Sequence, residues 1–460
     1  MKTNQPGLSC CEPSPHARPF AAHVAADTPR AQHTSAHALG ADVTRPRRLL
    51  LCLDGVPFDI MCEAQVRGLF AGFNEPARLL SPFPTMTNIA LATMLGASAP
   101  AGYECLYFDR NAQEIRGGVQ KYIGRRTPDK VPSSYMDELD YQEPLPFEYL
   151  VYVAPDAVWR ADMRRFRERF RAAPPTRDYF GFLKGTDGLL HIRGPRKLAT
   201  ALESLDPLLR EIQAWCGRET EIVLFSDHGM SLEESRKIHL LTHLAEQGYE
   251  ICTDFHGRSG RRNVAVPAFG LIGYAALFCS DETDPAELSA TINTLQGVDF
   301  STYRDGPSAV IVRNAQSRAR IRRAAENGAE RPRYTYEQID GDPLALGAIM
   351  RAMKEAGELD AQGFAADDVW LARTAAHIYP DALANLYEAM HGTRVRDTAD
   401  VLLSCRDGYY YGWSLLSRFI RMMATHGNAA RGSSTAFLMS THRTFGPHVR
   451  GSEVRPLIRE

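Results

Sequence analysis

Ser226-Asp227-His228-Gly229 sets a carboxylate beside an imidazole at the end of the apolar run Ile222-Val223-Leu224-Phe225. Both side chains ligate metals, one through oxygen and one through nitrogen. A turn with an Asx cap reads the same way, so the motif takes its meaning from four other segments. Leu49-Leu50-Leu51-Cys52-Leu53 runs into Asp54-Gly55. Ser81-Pro82-Phe83-Pro84-Thr85-Met86-Thr87-Asn88 sets hydroxyls just before the apolar, helix-like segment 89–96. A helix N-terminus at that point favours anions. Asp187 and His191 are four apart, which on a helical turn puts both on one face. His426-Gly427 precedes a further apolar run, 435–439.

The elements that must position these residues are short apolar runs, read as buried strands of a parallel sheet. Polar residues fall where such runs end, and open α/β sheets bind ligands at the carboxyl ends of their strands. The run 179–183 leads to Asp187, and 198–215 has helical periodicity before the 222–225 strand. This alternation predicts a mainly parallel, doubly wound sheet. Further along, 150–154 reads as a strand, 162–173 as a solvated helix, and 231–248 as a helix whose His239 and His243 are packing or surface residues. Residues 298–315 read as a hairpin about Asp305-Gly306. The runs 401–405 and 435–440 read as core strands flanking His426.

Residues 1–46 have very few large aliphatic side chains and are expected to be disordered. The core is expected over 47–295 and 401–460, with a smaller cap inserted at 296–400. The Arg-rich stretch 318–333 in that cap reads as a solvated face. The chain of 460 residues is 44% hydrophobic with a net charge of −2, which argues against general nucleic-acid binding. No apolar run reaches the ~18 residues of a membrane-spanning helix. The N-terminal stretch has no apolar core of a secretory signal. The nine cysteines are scattered, as in a reducing compartment. A cytoplasmic protein with a small-molecule substrate, and no membrane or nucleic-acid partner, is therefore expected.

The order Asp, Thr, Asp-x-x-x-His, Asp-His-Gly, His resembles the alkaline phosphatase superfamily, and within it the type I phosphodiesterase/nucleotide pyrophosphatase branch. The resemblance spans about Arg47 to Arg443. It implies a three-layer α/β/α core and two divalent metal ions, zinc above all. It implies Asp187, His191 and His426 as ligands of one ion, and Asp54, Asp227 and His228 as ligands of the other, with Thr87 between them as nucleophile. Three N/O ligands and an open position suit a catalytic zinc. Two ions roughly 3.5–4 Å apart clamp the attacking and leaving oxygens of an in-line displacement. The family's phosphate-binding Asn falls on Leu106 here; Asn88 or Asn111 could replace it, nothing in the sequence decides between them, and Asn88 is taken as the substrate-binding candidate. The expected function is hydrolysis of a phosphodiester or nucleotide-like substrate through a covalent phospho-threonine. A phosphonate hydrolase or phosphomutase on the same scaffold, and a non-catalytic metal-binding protein of this fold, are the alternatives.

Overall fold

Leu49, Leu51 and Leu53 point to one side of a sheet, and Leu50 and Cys52 to the other. Successive side chains of a strand alternate between faces, and all five residues of Leu49–Leu53 are buried. Both faces must therefore be covered. On one side lie the helices Phe58–Val66, Pro155–Ala172 and Pro195–Cys216, and on the other Thr87–Leu95 and Val454–Arg459. The result is the expected α/β/α layering. The computed structural model describes residues 47–118, 134–151, 153–258, 260, 262–324, 331–412 and 421–459. The tail expected at 1–46 lies outside the described residues.

The central sheet has six strands, in the order His448–Arg450, Ala77–Leu80, Thr435–Ser440, Ile222–Ser226, Leu49–Leu53, Tyr179–Leu183. The last three run parallel, and only Thr435–Ser440 is antiparallel to its neighbours. The sheet is thus mainly parallel, as the alternation of elements predicts. Leu53 lies level with both Leu183 and Ser226. Three parallel strands therefore end flush, and the residues that follow them emerge at one edge.

A second sheet of nine strands, mostly antiparallel, is larger than the first. It contains the expected hairpin, Val298–Arg304 with Ala309–Arg313. It draws on both sides of the 296–400 stretch, taking in Tyr274–Cys279 before it and Val401–Cys405 after it. The Val401–Cys405 run was expected in the first sheet but sits in the middle of this one. Leu402 packs on one face, and Val401 and Leu403 on the other. Burial on both faces gives the same continuous apolar run in either sheet.

Two local expectations fail for identifiable reasons. Of the stretch 150–154, the described residues 150, 151, 153 and 154 form no strand: Leu150 closes the helix Leu145–Leu150, and Pro155 opens the helix Pro155–Ala172. Proline in a first helical turn costs nothing there and presets φ, which overrides the β-branched pattern. The helix expected over 231–248 shrinks to Leu240–Glu246, because Arg236–Lys237 pairs instead with Tyr409–Tyr410. His243 bonds to Thr291 O through Nε2 at 3.1 Å, a packing role as expected. The arginines of Arg318–Arg323 pair with nearby acids: Arg318 with Asp340 and Arg322 with Glu337 on the neighbouring strand Arg333–Asp340, and Arg320 with Asp305 in the hairpin turn. Among the described residues, no helix is long and apolar enough to cross a membrane, and seven cysteines are free.

Asp299 ties the second sheet to the connection between the helices Asp367–Thr374 and Ala382–His391 by accepting a hydrogen bond from Tyr379 Oη at 2.8 Å. Burial pushes its carboxyl up to about 6 against that bond. The folded state thus holds a proton there that the unfolded chain releases near pH 4. Asp299 stabilises the fold fully below pH ~4, and this contribution is lost as pH rises through about 6. Urea unfolding of wild type and Asp299→Asn should therefore diverge between pH 4 and 7, by on the order of 2 kcal/mol. Parallel stability curves would show that the carboxyl titrates normally.

Candidate metal centre

Asp54 follows the Leu49–Leu53 strand directly, and its N–H donates to Leu183 O at 3.0 Å. Gly55 then turns the chain with φ of +69°, a left-handed conformation that side chains rarely adopt. A Cβ there would also lie 3.1 Å from Asp187 Oδ1, so the Asp-Gly pair serves both turn and close approach. Asp227 and His228 follow the Ile222–Ser226 strand. A Cβ on Gly229 would lie 2.2 Å from Gly432 O, so no side chain fits after the imidazole. Asp187 and His191 sit four apart on the helix Gly185–Arg193, as their spacing predicts. Thr87 is the first residue of the helix Thr87–Leu95. Its position meets the expectation of a hydroxyl at a helix N-terminus.

These six side chains converge with that of His426. Thr87 Oγ1 donates toward Asp54 Oδ1 at 3.4 Å and lies 3.3 Å from His228 Nε2. His228 Nε2 is also 3.4 Å from both Asp54 Oδ1 and Asp227 Oδ2. Asp187 Oδ1 lies 3.2 Å from His191 Nε2 and 3.7 Å from His426 Nε2. The His228 and His426 rings stack with centroids 4.1 Å apart. Two groups of ligand atoms come within 4.8 Å of one another: Asp54, Asp227 and His228, and Asp187, His228 and His426. The first is the trio that the family resemblance implies. In the second, His228 takes the place expected for His191, which stands at the edge beside Asp187.

The three imidazoles are oriented by main-chain carbonyls. Nδ1–H of His191 donates to Ala424 O, that of His228 to Gly229 O and that of His426 to Thr85 O, each at 2.8 Å. Each bond fixes the tautomer with the Nε2 lone pair facing the carboxylates, as a metal-ligating histidine requires. Asp54 Oδ2, Asp187 Oδ1 and Asp227 Oδ2 are buried without a hydrogen-bond donor among the described residues. Orphaned buried carboxylate oxygens are costly. Three of them facing three inward Nε2 atoms fit divalent cations as the missing partners.

The charges of the protein alone tell the same story. Burial, with Asp227 and Asp187 nearby, pushes the Asp54 carboxyl well up, and burial raises Asp227. Burial also works against the Asp187 carboxylate, but His191, His426 and His228 outweigh it and hold Asp187 below the usual range. Burial, joined by His228, holds His426 well below an ordinary imidazole. Raised Asp54 and Asp227 carboxyls and a His426 held neutral mark a pocket short of positive charge, whereas Asp187 and His191 stabilise each other's charge, Asp187 raising His191 against its burial.

Several supports have no signature in the sequence. Ser81 Oγ donates to Asp227 O at 2.5 Å, Thr186 Oγ1 to Asp54 O at 2.6 Å, and Ser226 Oγ to His228 O at 2.9 Å. Thr85 is fully buried; its hydroxyl accepts from Gly427 N at 2.8 Å and donates to Asn428 O at 3.2 Å. Asn88 is buried with Nδ2 donating to Gly102 O at 3.4 Å. Asn111 lies exposed on the turn between the strands Leu106–Asp109 and Glu114–Gly117.

A cation-seeking cluster at the carboxyl ends of parallel strands, with a hydroxyl at a helix N-terminus beside it, is the equipment of a metal-dependent ester hydrolase. The chain belongs to the type I phosphodiesterase / nucleotide pyrophosphatase family, whose profile matches residues 107–337, just over half of its length. It is a phosphoric ester hydrolase of that family, as the order of motifs implies. The matched span holds Asp187, His191, Asp227 and His228; Asp54, Thr87 and His426 lie outside it. Among solved structures, phosphonoacetate hydrolase from Sinorhizobium meliloti 1021 is 13% identical, with 89% of this chain and 94% of that one covered at a TM-score of 0.49. Human ectonucleotide pyrophosphatase / phosphodiesterase 5 is 10% identical, with 90% and 93% covered at 0.48. The murine protein of that name is 11% identical, with 90% and 94% covered at 0.46. No curated protein matches the chain.

Proposed function

We propose that the protein hydrolyses a small phosphodiester or nucleotide-like ester, with Thr87 as nucleophile between two zinc ions. Asp54, Asp227 and His228 would hold one ion, and Asp187, His191 and His426 the other. The observation that carries the reading is the position of Thr87 Oγ1, 3.4 Å from Asp54 Oδ1 and 3.3 Å from His228 Nε2 at a helix N-terminus. When bound, the ions lower the hydroxyl pKa and offset the charge on the phosphoryl oxygens. Thr87 Oγ1 then forms its bond to phosphorus while the bond from phosphorus to the leaving oxygen breaks. Water hydrolyses the phospho-threonine and returns the free hydroxyl. The N–H groups of a first helical turn have no intrahelical acceptor, and that of Asn88 would donate to the phosphoryl group. This is the sense in which we assign Asn88 to substrate binding. Turnover of an aryl phosphodiester, an aryl phosphomonoester and phosphonoacetate by the zinc-loaded protein tests the reading. The diester should be the best substrate. Cleavage of phosphonoacetate alone would favour the phosphonate hydrolase alternative.

A further inference from the structure

The turn that leads into Thr87 is short of main-chain donors. Pro82 and Pro84 have no N–H, so Phe83 carries the one backbone donor between Ser81 and Thr85. That donor is met from the layer of the second sheet. Asn385, buried on the helix Ala382–His391, accepts from Phe83 N through Oδ1 at 2.7 Å and donates from Nδ2 to Ser81 O at 3.0 Å. A carbonyl and the N–H two residues on are what one residue of a parallel neighbouring strand engages, so this amide takes the place of a strand beside Pro82. Arg394 Nη1 donates to Asn385 Oδ1 at 2.6 Å, Asn385 O at 3.0 Å and Phe83 O at 2.9 Å. These bonds orient the amide with its oxygen toward Phe83 N.

The helix that begins at Thr87 has no side-chain cap, since Met86 stands at its N-cap. Its first residue is therefore held by the chain that enters it. That chain is fixed at Thr85, whose O accepts from His426 Nδ1 at 2.8 Å, and at Ser81 and Phe83 by Asn385. The Phe83 ring is fully buried in the core of the second sheet, 6.4 Å from the ring of Phe300. The helix Ala382–His391 packs into the same core through Leu383, Leu386 and Met390.

We propose that Asn385 is a positioning residue: it sets the place of the Thr87 hydroxyl by holding Ser81 and Phe83, with Arg394 orienting its amide. The role rests on Thr87 being the nucleophile. Through it the second sheet takes part in placing the reacting group.

The test compares zinc-loaded wild type, Asn385→Leu, Asn385→Asp, Met390→Val and Thr87→Ala. The substrate is the aryl phosphodiester, the aryl phosphomonoester or phosphonoacetate, whichever wild type turns over fastest. Asn385→Leu keeps the size of the side chain and loses both bonds. Its kcat should fall by on the order of 10²-fold, the cost of displacing a reacting group by ~1 Å, while KM and zinc content stay near wild type. Hydrogen exchange at Phe83 N should speed up, since its acceptor is gone. Asn385→Asp keeps that acceptor and loses the donor to Ser81 O. It should lose less kcat, and it decides the matter if Asn385→Leu does not fold. Met390→Val weakens the same helix away from the turn, so it should lower the melting temperature and leave kcat unchanged. Wild-type kcat in both Asn385 variants, or Phe83 N still protected in Asn385→Leu, would overturn the role. So would a loss of kcat that Met390→Val reproduces or that follows loss of zinc. The nucleophile reading fails separately: Thr87→Ala at the full rate, or no turnover by wild type, would sink it and the role with it.

Discussion

Thr87→Ala should lower turnover of an aryl phosphodiester by on the order of 10³-fold or more. The substitution removes the proposed covalent route and not merely a positioning group. Its metal content should survive, because the six proposed ligands remain. Thr87→Ser keeps a hydroxyl at the helix N-terminus and should retain part of the rate. The neighbouring Thr85 provides the control. Its hydroxyl is fully buried and committed to Gly427 N and Asn428 O, so it has no path to the substrate. Thr85→Ala should cost stability, about 1–3 kcal/mol for the orphaned partners, and lose much less rate than Thr87→Ala. If Thr85→Ala is dead and Thr87→Ala active, the nucleophile assignment fails.

His228→Ala should be as damaging by a different route. His228 Nε2 sits within 3.4 Å of Asp54 Oδ1, Asp227 Oδ2 and Thr87 Oγ1, and His228 belongs to both close groups of ligand atoms. Its removal takes away one ligand and leaves Asp54 and Asp227 facing each other. At least one ion should be lost, and turnover should fall by on the order of 10³-fold or more. His191→Ala, at the edge of the cluster, should cost less metal affinity and less rate. Elemental analysis with turnover measured on the same samples checks the ranking. A His228→Ala protein with full metal and full rate would remove His228 from the centre.

The mainly parallel sheet was legible because Leu49-Leu50-Leu51-Cys52-Leu53 and Ile222-Val223-Leu224-Phe225 are apolar throughout, which a strand buried on both faces demands. The site was legible for a related reason. Asp54 and Asp227 come directly after strands that end level, and the spacing of Asp187 and His191 already specifies a helical face. Val401–Cys405 shows where that reasoning stops. A doubly buried strand reads alike in either sheet, and only its partners Tyr274–Cys279 and Val298–Arg304 decide. The stretch 150–154 misled because its β-branched residues are outweighed by prolines that open helices around it.

The supports of the centre were illegible for a deeper reason. The carbonyls of Thr85, Ala424 and Gly229 orient the three imidazoles, and a carbonyl is the same in every residue. The closeness of His228 to Asp187 and His426 likewise follows from how three strand ends and a helix meet, which no local spacing encodes.

The central claim is that buried carboxylates and imidazoles hold divalent ions next to Thr87. The most direct test strips the purified protein with a chelator, adds zinc back in known amounts, and follows bound metal and phosphodiester turnover together. About two zinc ions per chain should return, and activity should rise with them to its original level. A protein that takes up no zinc, or that turns over the diester equally well when stripped, would contradict the account.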